Sequence, residues 1–252
     1  MVTLLSNSVP VLAAISATGG HVIPAWAKGN VVLEKFVQGG PIMYPIVATL
    51  IVAIAVILER IVWWTIEGVR RDPNKLDQVY AALEQGNVAA AVNLGRGSKD
   101  PLVRTVYHGL NHVHASIEGA LQVAAGVELQ RAGRFMSVMD TMVTLAPLLG
   151  LLGTVTGIMG SFNAVQSGGL DPSKVSGGIG EALIATACGL GIAIFSLVFF
   201  NFFNAKMSRL QFELESASNN VILMLHSLQT RNTNIVSTEQ DARQQSEYAR
   251  TS

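Results

Sequence analysis

Residues 179–200, IGEALIATACGLGIAIFSLVFF, form an apolar run interrupted by a single carboxylate, Glu181. About 20 predominantly apolar residues suffice for a helix to cross the hydrocarbon core of a bilayer. A charged group at the centre of such a helix costs about 3 kcal/mol or more, so these residues usually face a protein interior or a water path. The run therefore predicts a membrane-spanning helix that carries an ion or proton site. Thr186, one and a half turns beyond Glu181, adds a hydroxyl to the same segment.

The rest of the composition agrees with a polytopic membrane protein. Of the 252 residues half are apolar and only 13% are charged, and the mean hydropathy is +0.41, with the apolar residues clustered into long runs. The formal net charge is zero, which points to neither nucleic acid nor a strongly charged partner. The one cysteine, Cys188, lies inside the last apolar run. An internal disulfide is therefore impossible, and the thiol reads as a small packing residue.

Residues 1–40 read as an uncleaved N-terminal arm. No basic residue precedes Lys28, so the positive n-region of a signal peptide is missing, and Pro10, Gly19, Gly20 and Pro24 break the segment. A Gly39-Gly40-Pro41 turn then introduces a first span over 43–64, closed by Glu59, Arg60, Trp63 and Trp64. The two tryptophans suit a membrane–water interface, and the two charges mark its boundary.

Residues 65–134 are polar and predict a helical segment outside the membrane. Asp72-Pro73, Gly86-Asn87 and Asp100-Pro101 each supply a capping or turn signal, and Ser116 is a candidate N-cap for a longer helix. Ile117, Leu121, Ala125, Leu129, Ala132 and Met136 form one apolar stripe at helical spacing. No strong turn signal follows, so the stripe predicts a helix continuous with a second span over 135–165. That span holds Gly150, Gly153, Gly157 and Gly160 with Thr154, Thr156 and Ser161, and Pro147 is a potential kink. Gly153 and Gly157, at four-residue spacing, allow close approach of another helix.

A short connection over 166–171 leads to Asp171-Pro172, a helix-start signal for the third span over 172–205. If the helix starts at Asp171, Glu181 lies about 15 Å along its axis, within the membrane rather than at its lip. Ala185, Gly189 and Ala193 give this span its own small-residue face, with Ala182 and Thr186 adjacent. Leu210, Leu214, Val221, Leu225 and Leu228 extend a helical pattern through a segment over 206–229. The polar tail 230–252 reads as disordered by composition.

Basic residues set the expected orientation. Two, Lys28 and Lys35, precede the first span, and nine run from Arg60 to Arg134. Only Lys174 lies near the connection between the second and third spans, whereas five follow from Lys206 onward. The excess of Lys and Arg on the cytoplasmic side places the large segment and the C-terminus inside, and the N-terminal arm and short connection outside.

Other polar groups carry weaker readings. Asp140 stands at the entrance of the second span, where it can attract cations or pair with a base such as Arg134. His108, His112 and His114 include a pair at helical spacing, but with no Glu in a metalloprotease pattern and no cysteine nearby they read as a solvated face rather than a metal site. Gly150–Gly157 lacks the lysine of a phosphate-binding loop. No nucleophile–base pair, metal cluster or cofactor motif emerges, so the chain is not expected to be an enzyme.

Two stretches resemble a known family. Residues 146–162, APLLGLLGTVTGIMGSF, resemble the second-span signature of the MotA/TolQ/ExbB proton channel family, and residues 180–190, GEALIATACGL, resemble the third-span signature of its ExbB and TolQ branches. The long N-terminal arm favours the ExbB-like branch. The resemblance implies an all-α inner-membrane protein with three transmembrane helices and long helices extending into the cytoplasm. It further implies a homopentamer around a dimer of single-span ExbD- or TolR-like chains, with a TonB-like transducer as partner, the bilayer as surroundings and no cofactor. The family glutamate maps to Glu181, and its polar pore threonines map to Thr154 and Thr186. Thr156 lies on a different face. Where the family often has proline in an Ala-Ile-Pro sequence, this chain has Phe195. The implied function is a proton-channel stator subunit that energises outer-membrane transport. A TolQ-like or gliding-type motor is the alternative within the family, and a non-conducting scaffold ring is the alternative outside it.

Overall fold

The computed structural model describes Phe36 and residues 38–111, 116–166 and 172–251. Most of the N-terminal arm, Asp171, residues 167–170, His112 and His114 lie outside the described residues. Among the described residues every long element is an α-helix: α1 (Met43–Val69), α2 (Pro73–Glu84), α3 (Val88–Gly95), α4 (Pro101–Leu110), α5 (Ile117–Ala132), α6 (Met136–Gln166) and α7 (Pro172–Thr251). Three of them contain stretches long and apolar enough to cross a membrane: Met43–Val69, Met136–Asn163 and Val175–Arg231. The chain divides into two compact units, one of residues up to Glu59 with Phe135–Asn201, the other of Arg60–Arg134 with the residues from Phe202 onward.

The first unit holds the N-terminal part of α1, the whole of α6 and the N-terminal part of α7. Its core is small: Met43 and Ile46 from α1, Ala146 from α6, and Ala185, Ile192 and Ala193 from α7. Outward-facing residues remain apolar, with Ile51 62% exposed, Leu148 60% and Leu183 64%. An apolar exterior of this kind is what a hydrocarbon surround requires, because lipid replaces water as the solvent of that surface. Pro147 lies inside α6 without ending it.

The second unit is built by capping and then by burial. Asp72, Asn87, Asp100 and Ser116 each accept a hydrogen bond from a first-turn backbone N–H of the helix that follows, at Lys75, Ala90, Leu102 and Gly119. These side chains satisfy donors that a helix start leaves without partners. Asp100 does double duty, since its second carboxylate oxygen accepts from the Asp72 N–H at 2.7 Å. The four short helices then close on α7: Leu83, Val103, Val106 and Leu121 are buried with Leu210, Leu214, Ala217 and Val221. Glu128, almost fully buried, accepts from both Arg104 and Arg131.

Arg60 has a structural role beyond marking a boundary. It is fully buried, its Nη1 donates to the Ala132 carbonyl at 2.9 Å, and its guanidinium lies 5.1 Å from the centre of the Trp63 ring. Ala132 is the last residue of α5, so the cation meets the carbonyl end of a helix, where backbone acceptors are in excess and positive charge is favoured. Arg60→Met keeps the length and removes the donor. Hydrogen bonds to charged groups contribute about 1.5–3 kcal/mol net, so thermal unfolding of the detergent-extracted protein should show a clear fall in Tm. An unchanged Tm would contradict this role.

Two expectations from the sequence need correcting. The helix expected to continue through residue 135 is interrupted: α5 ends at Ala132, Gly133 and Arg134 turn, and Phe135 takes φ +64° before α6 begins at Met136. A left-handed residue cannot continue a right-handed helix. The second difference concerns the C-terminal end. A separate helix over 206–229 and a disordered tail over 230–252 are replaced by one helix running from Pro172 to Thr251. No Gly or Pro occurs after Gly191, and ties four residues apart, such as Arg209 to Glu213 and Gln211 to Glu215, reinforce it.

Candidate proton site

The site is built on the contact between α6 and α7, and glycine makes that contact possible. A Cβ on Gly153 would fall 2.5 Å from the Ala185 Cβ, one on Gly157 2.8 Å from the Gly178 carbonyl oxygen, and one on Gly189 2.5 Å from the Ala146 carbonyl oxygen. The obstacles at Gly157 and Gly189 include backbone, which cannot swing aside. The two helices therefore touch main chain to main chain, the arrangement that small residues permit in spanning helices. Gly160, Gly177, Gly180 and Gly191 face open space instead.

Hydroxyls tie the two helices together along this contact. Thr186 Oγ1 donates to the Gly150 carbonyl of α6 at 2.8 Å. Ser161, buried, places its Oγ 3.1 Å from the Gly157 carbonyl and 3.3 Å from the Val175 carbonyl of α7. Thr154 behaves differently: its Oγ1 donates to the Leu151 carbonyl of its own helix at 2.7 Å. Thr156 likewise bonds within α6, to Leu152 and Gly153. Back-bonding of this kind is the ordinary habit of helical threonines.

Glu181 is half-buried on α7 and projects toward the turn that opens α1. Its carboxyl lies against Gly40, so that a Cβ there would fall 1.4 Å from Oε1. Between Asp140 and Lys206 the sequence has only three charged residues, Asp171, Lys174 and Glu181. Glu181 is thus the one carboxylate in the apolar stretch of α7 that precedes Lys206. A carboxyl there can take up and release a proton, and the neighbouring hydroxyls can donate or accept a hydrogen bond.

The structure thus places Thr186 on the α6 backbone, one turn before Thr154 in register, and sets Glu181 beside the α1 turn. Thr154 and Thr186 each bond to backbone carbonyls rather than to Glu181. Asp140 is exposed near the start of α6. Among the described residues no group of three or more His, Cys, Asp or Glu could hold a metal ion. Sequence reasoning singled out neither Ser161 as an interhelical tie nor Gly40 as the neighbour of Glu181. Ser161 carried a usable signal, a hydroxyl one turn after Gly157 on the close-packed face; Gly40 carried only its turn signal.

Comparison with known proteins adds an independent line. The model of the MotA/TolQ/ExbB proton channel family matches residues 97–216, a range that contains Thr154, Glu181 and Thr186. A biopolymer transport protein of Synechocystis sp., ExbB-like 1, is 34% identical over 176 residues, covering 67% of this chain and 68% of the relative. The ExbB-like 3 protein of the same organism is 34% identical over 183 residues, covering 70% of this chain and 86% of the relative. The biopolymer transport protein ExbB of Neisseria gonorrhoeae is 38% identical over 91 residues, 36% of this chain and 41% of that protein. With three helices able to span a membrane, a family signature across the glycine-packed pair and relatives aligned over most of its length, this chain belongs to the MotA/TolQ/ExbB proton channel family.

Proposed function

We propose that the chain is an ExbB-like stator subunit of the inner membrane, which couples inward proton flow to transport at the outer membrane. One observation carries the reading: Glu181 is the lone carboxylate in the apolar stretch of α7, within a glycine-packed helix pair. A single exchangeable carboxyl, without a further carboxylate at the centres of the spans to build a cation cage, favours the proton over sodium. Glu181 takes the proton, and Thr186 and Thr154 line its path. The energy source is the membrane potential, about 2.3 kcal/mol per charge per 100 mV.

In this reading the N-terminus is periplasmic and the C-terminus cytoplasmic, following the distribution of Lys and Arg. Five copies surround a dimer of single-span ExbD- or TolR-like chains, as the resemblance implies, and a TonB-like transducer delivers the force. Exposed apolar side chains support contacts with lipid and further copies: Leu151 and Phe162 of α6, and Ile194 and Val198 of α7. The relatives' names favour the ExbB-like role over the TolQ-like one.

Deletion of the gene tests the role. Cells without the chain should lose energised uptake of outer-membrane substrates and keep their resistance to detergents, and the wild-type gene should restore uptake. Normal uptake combined with a leaky envelope would contradict the proposal and favour the TolQ-like motor.

A further inference from the structure

We propose that Gly40 is a positioning residue for Glu181, and that the turn opening α1 forms the seat of the proton-bearing carboxyl. The proposal rests on the reading of Glu181 given above. Residues 39–41 lie outside the range matched by the family model, 97–216, and 141 positions in sequence separate Gly40 from Glu181.

Gly40 has φ +71°, a conformation in which glycine carries no steric penalty and other residues do. A turn requirement alone would explain a glycine there. The surroundings add a second requirement. A Cβ on Gly40 would lie 1.4 Å from Glu181 Oε1, 2.3 Å from Cδ and 3.0 Å from Cγ. The carboxyl group therefore occupies the volume that any other residue at position 40 would fill with its own side chain.

The turn is held firmly enough to act as a seat. The Gly40 carbonyl accepts from the Met43 N–H at 3.1 Å, and the Pro41 carbonyl accepts from the Tyr44 N–H at 3.3 Å, which joins the turn to the first residues of α1. Met43 and Ile46 are then buried in the same cluster as Ala185, one turn along α7 from Glu181. Gly39 brings the turn close to α7 as well, since a Cβ there would lie 3.4 Å from Ile184 Cγ2. Gly39 and Gly40 are both buried. The position of the carboxyl is thus set by the turn before α1 as well as by α7, and the backbone of that turn covers one side of it.

The test uses the full-length protein in its native membranes and in detergent extracts. Dicyclohexylcarbodiimide, an apolar reagent that attacks protonated carboxyl groups, should label Glu181 several-fold faster in the Gly40→Ala variant, with a shifted pH profile, because the displaced carboxyl loses its cover. Thermal stability gives the second readout, as a double-mutant cycle. Gly40→Ala should lower the Tm by several degrees more in the wild-type background than in a Glu181→Ala background; the left-handed strain is common to both and cancels. If Gly40→Ala alone fails to accumulate, recovery of the protein on adding Glu181→Ala supports the seat. Equal Tm losses in the two backgrounds, or a labelling profile unchanged by Gly40→Ala, would overturn it. Full energised uptake by a Glu181→Gln variant would instead remove the proton assignment and leave the thermal coupling intact.

Discussion

Gly189→Leu should abolish the packed α6/α7 pair, whereas Gly191→Leu, two positions along the same helix, should leave it standing. The first Cβ atom alone would come within 2.5 Å of the Ala146 carbonyl oxygen and 3.0 Å of the Gly150 Cα. Both obstacles are backbone of a continuous helix, so relief requires the helices to separate. Separation would also break the Thr186 bond to the Gly150 carbonyl and pull Ala185 away from Gly153. Overpacking a well-filled site typically costs about 1–3 kcal/mol and sometimes more; backbone on the receiving side puts this substitution at the upper end. At Gly191 a Cβ meets nothing within 4 Å. The readout is the amount of detergent-stable protein recovered from membranes, with its Tm. Equal recovery of the two variants would show that the glycine contact is not what holds the pair.

The second large effect falls on activity and spares the fold. In Glu181→Gln the side chain keeps its length and nearly its shape, yet an amide cannot exchange a proton in the accessible pH range. Energised uptake should fall to the level of cells lacking the chain. Assembly and Tm should stay at wild-type values, since the amide still fits the space beside Gly40. Glu181→Asp keeps the acid but withdraws it by one methylene from its seat, so partial activity is the expected result. Full uptake by the Gln variant would remove Glu181 from the proton path. Loss of assembly by the same variant would instead make it an intersubunit contact.

What could be read in advance follows from which interactions are local. The three long apolar helices were legible because membrane spanning is a property of contiguous residues, and an acid in such a run is conspicuous. The close approach at Gly153 and Gly157 was legible for the same reason, from small residues at a helical interval. The burial of Arg60 was not legible, because a charge at the end of a span looks the same whether it faces headgroups or caps a distant helix. The bond to Ala132 spans 72 positions. The break before α6 rests on a phenylalanine with positive φ, a state that residue type does not announce. The tail was read from its polarity, which speaks to burial; backbone state there follows from the lack of any Gly or Pro after Gly191. The Glu181–Gly40 contact joins a turn to a helix far along the chain and required the fold itself.

In the proposed role Glu181 conducts protons rather than fastening a passive ring. Its most direct test is proton flux into sealed vesicles containing the wild-type chain with its single-span partner, against vesicles made with Glu181→Gln. An imposed pH gradient should dissipate through the wild-type complex and persist in the variant. Equal dissipation in both would remove Glu181 from the proton path and leave the chain as a scaffold.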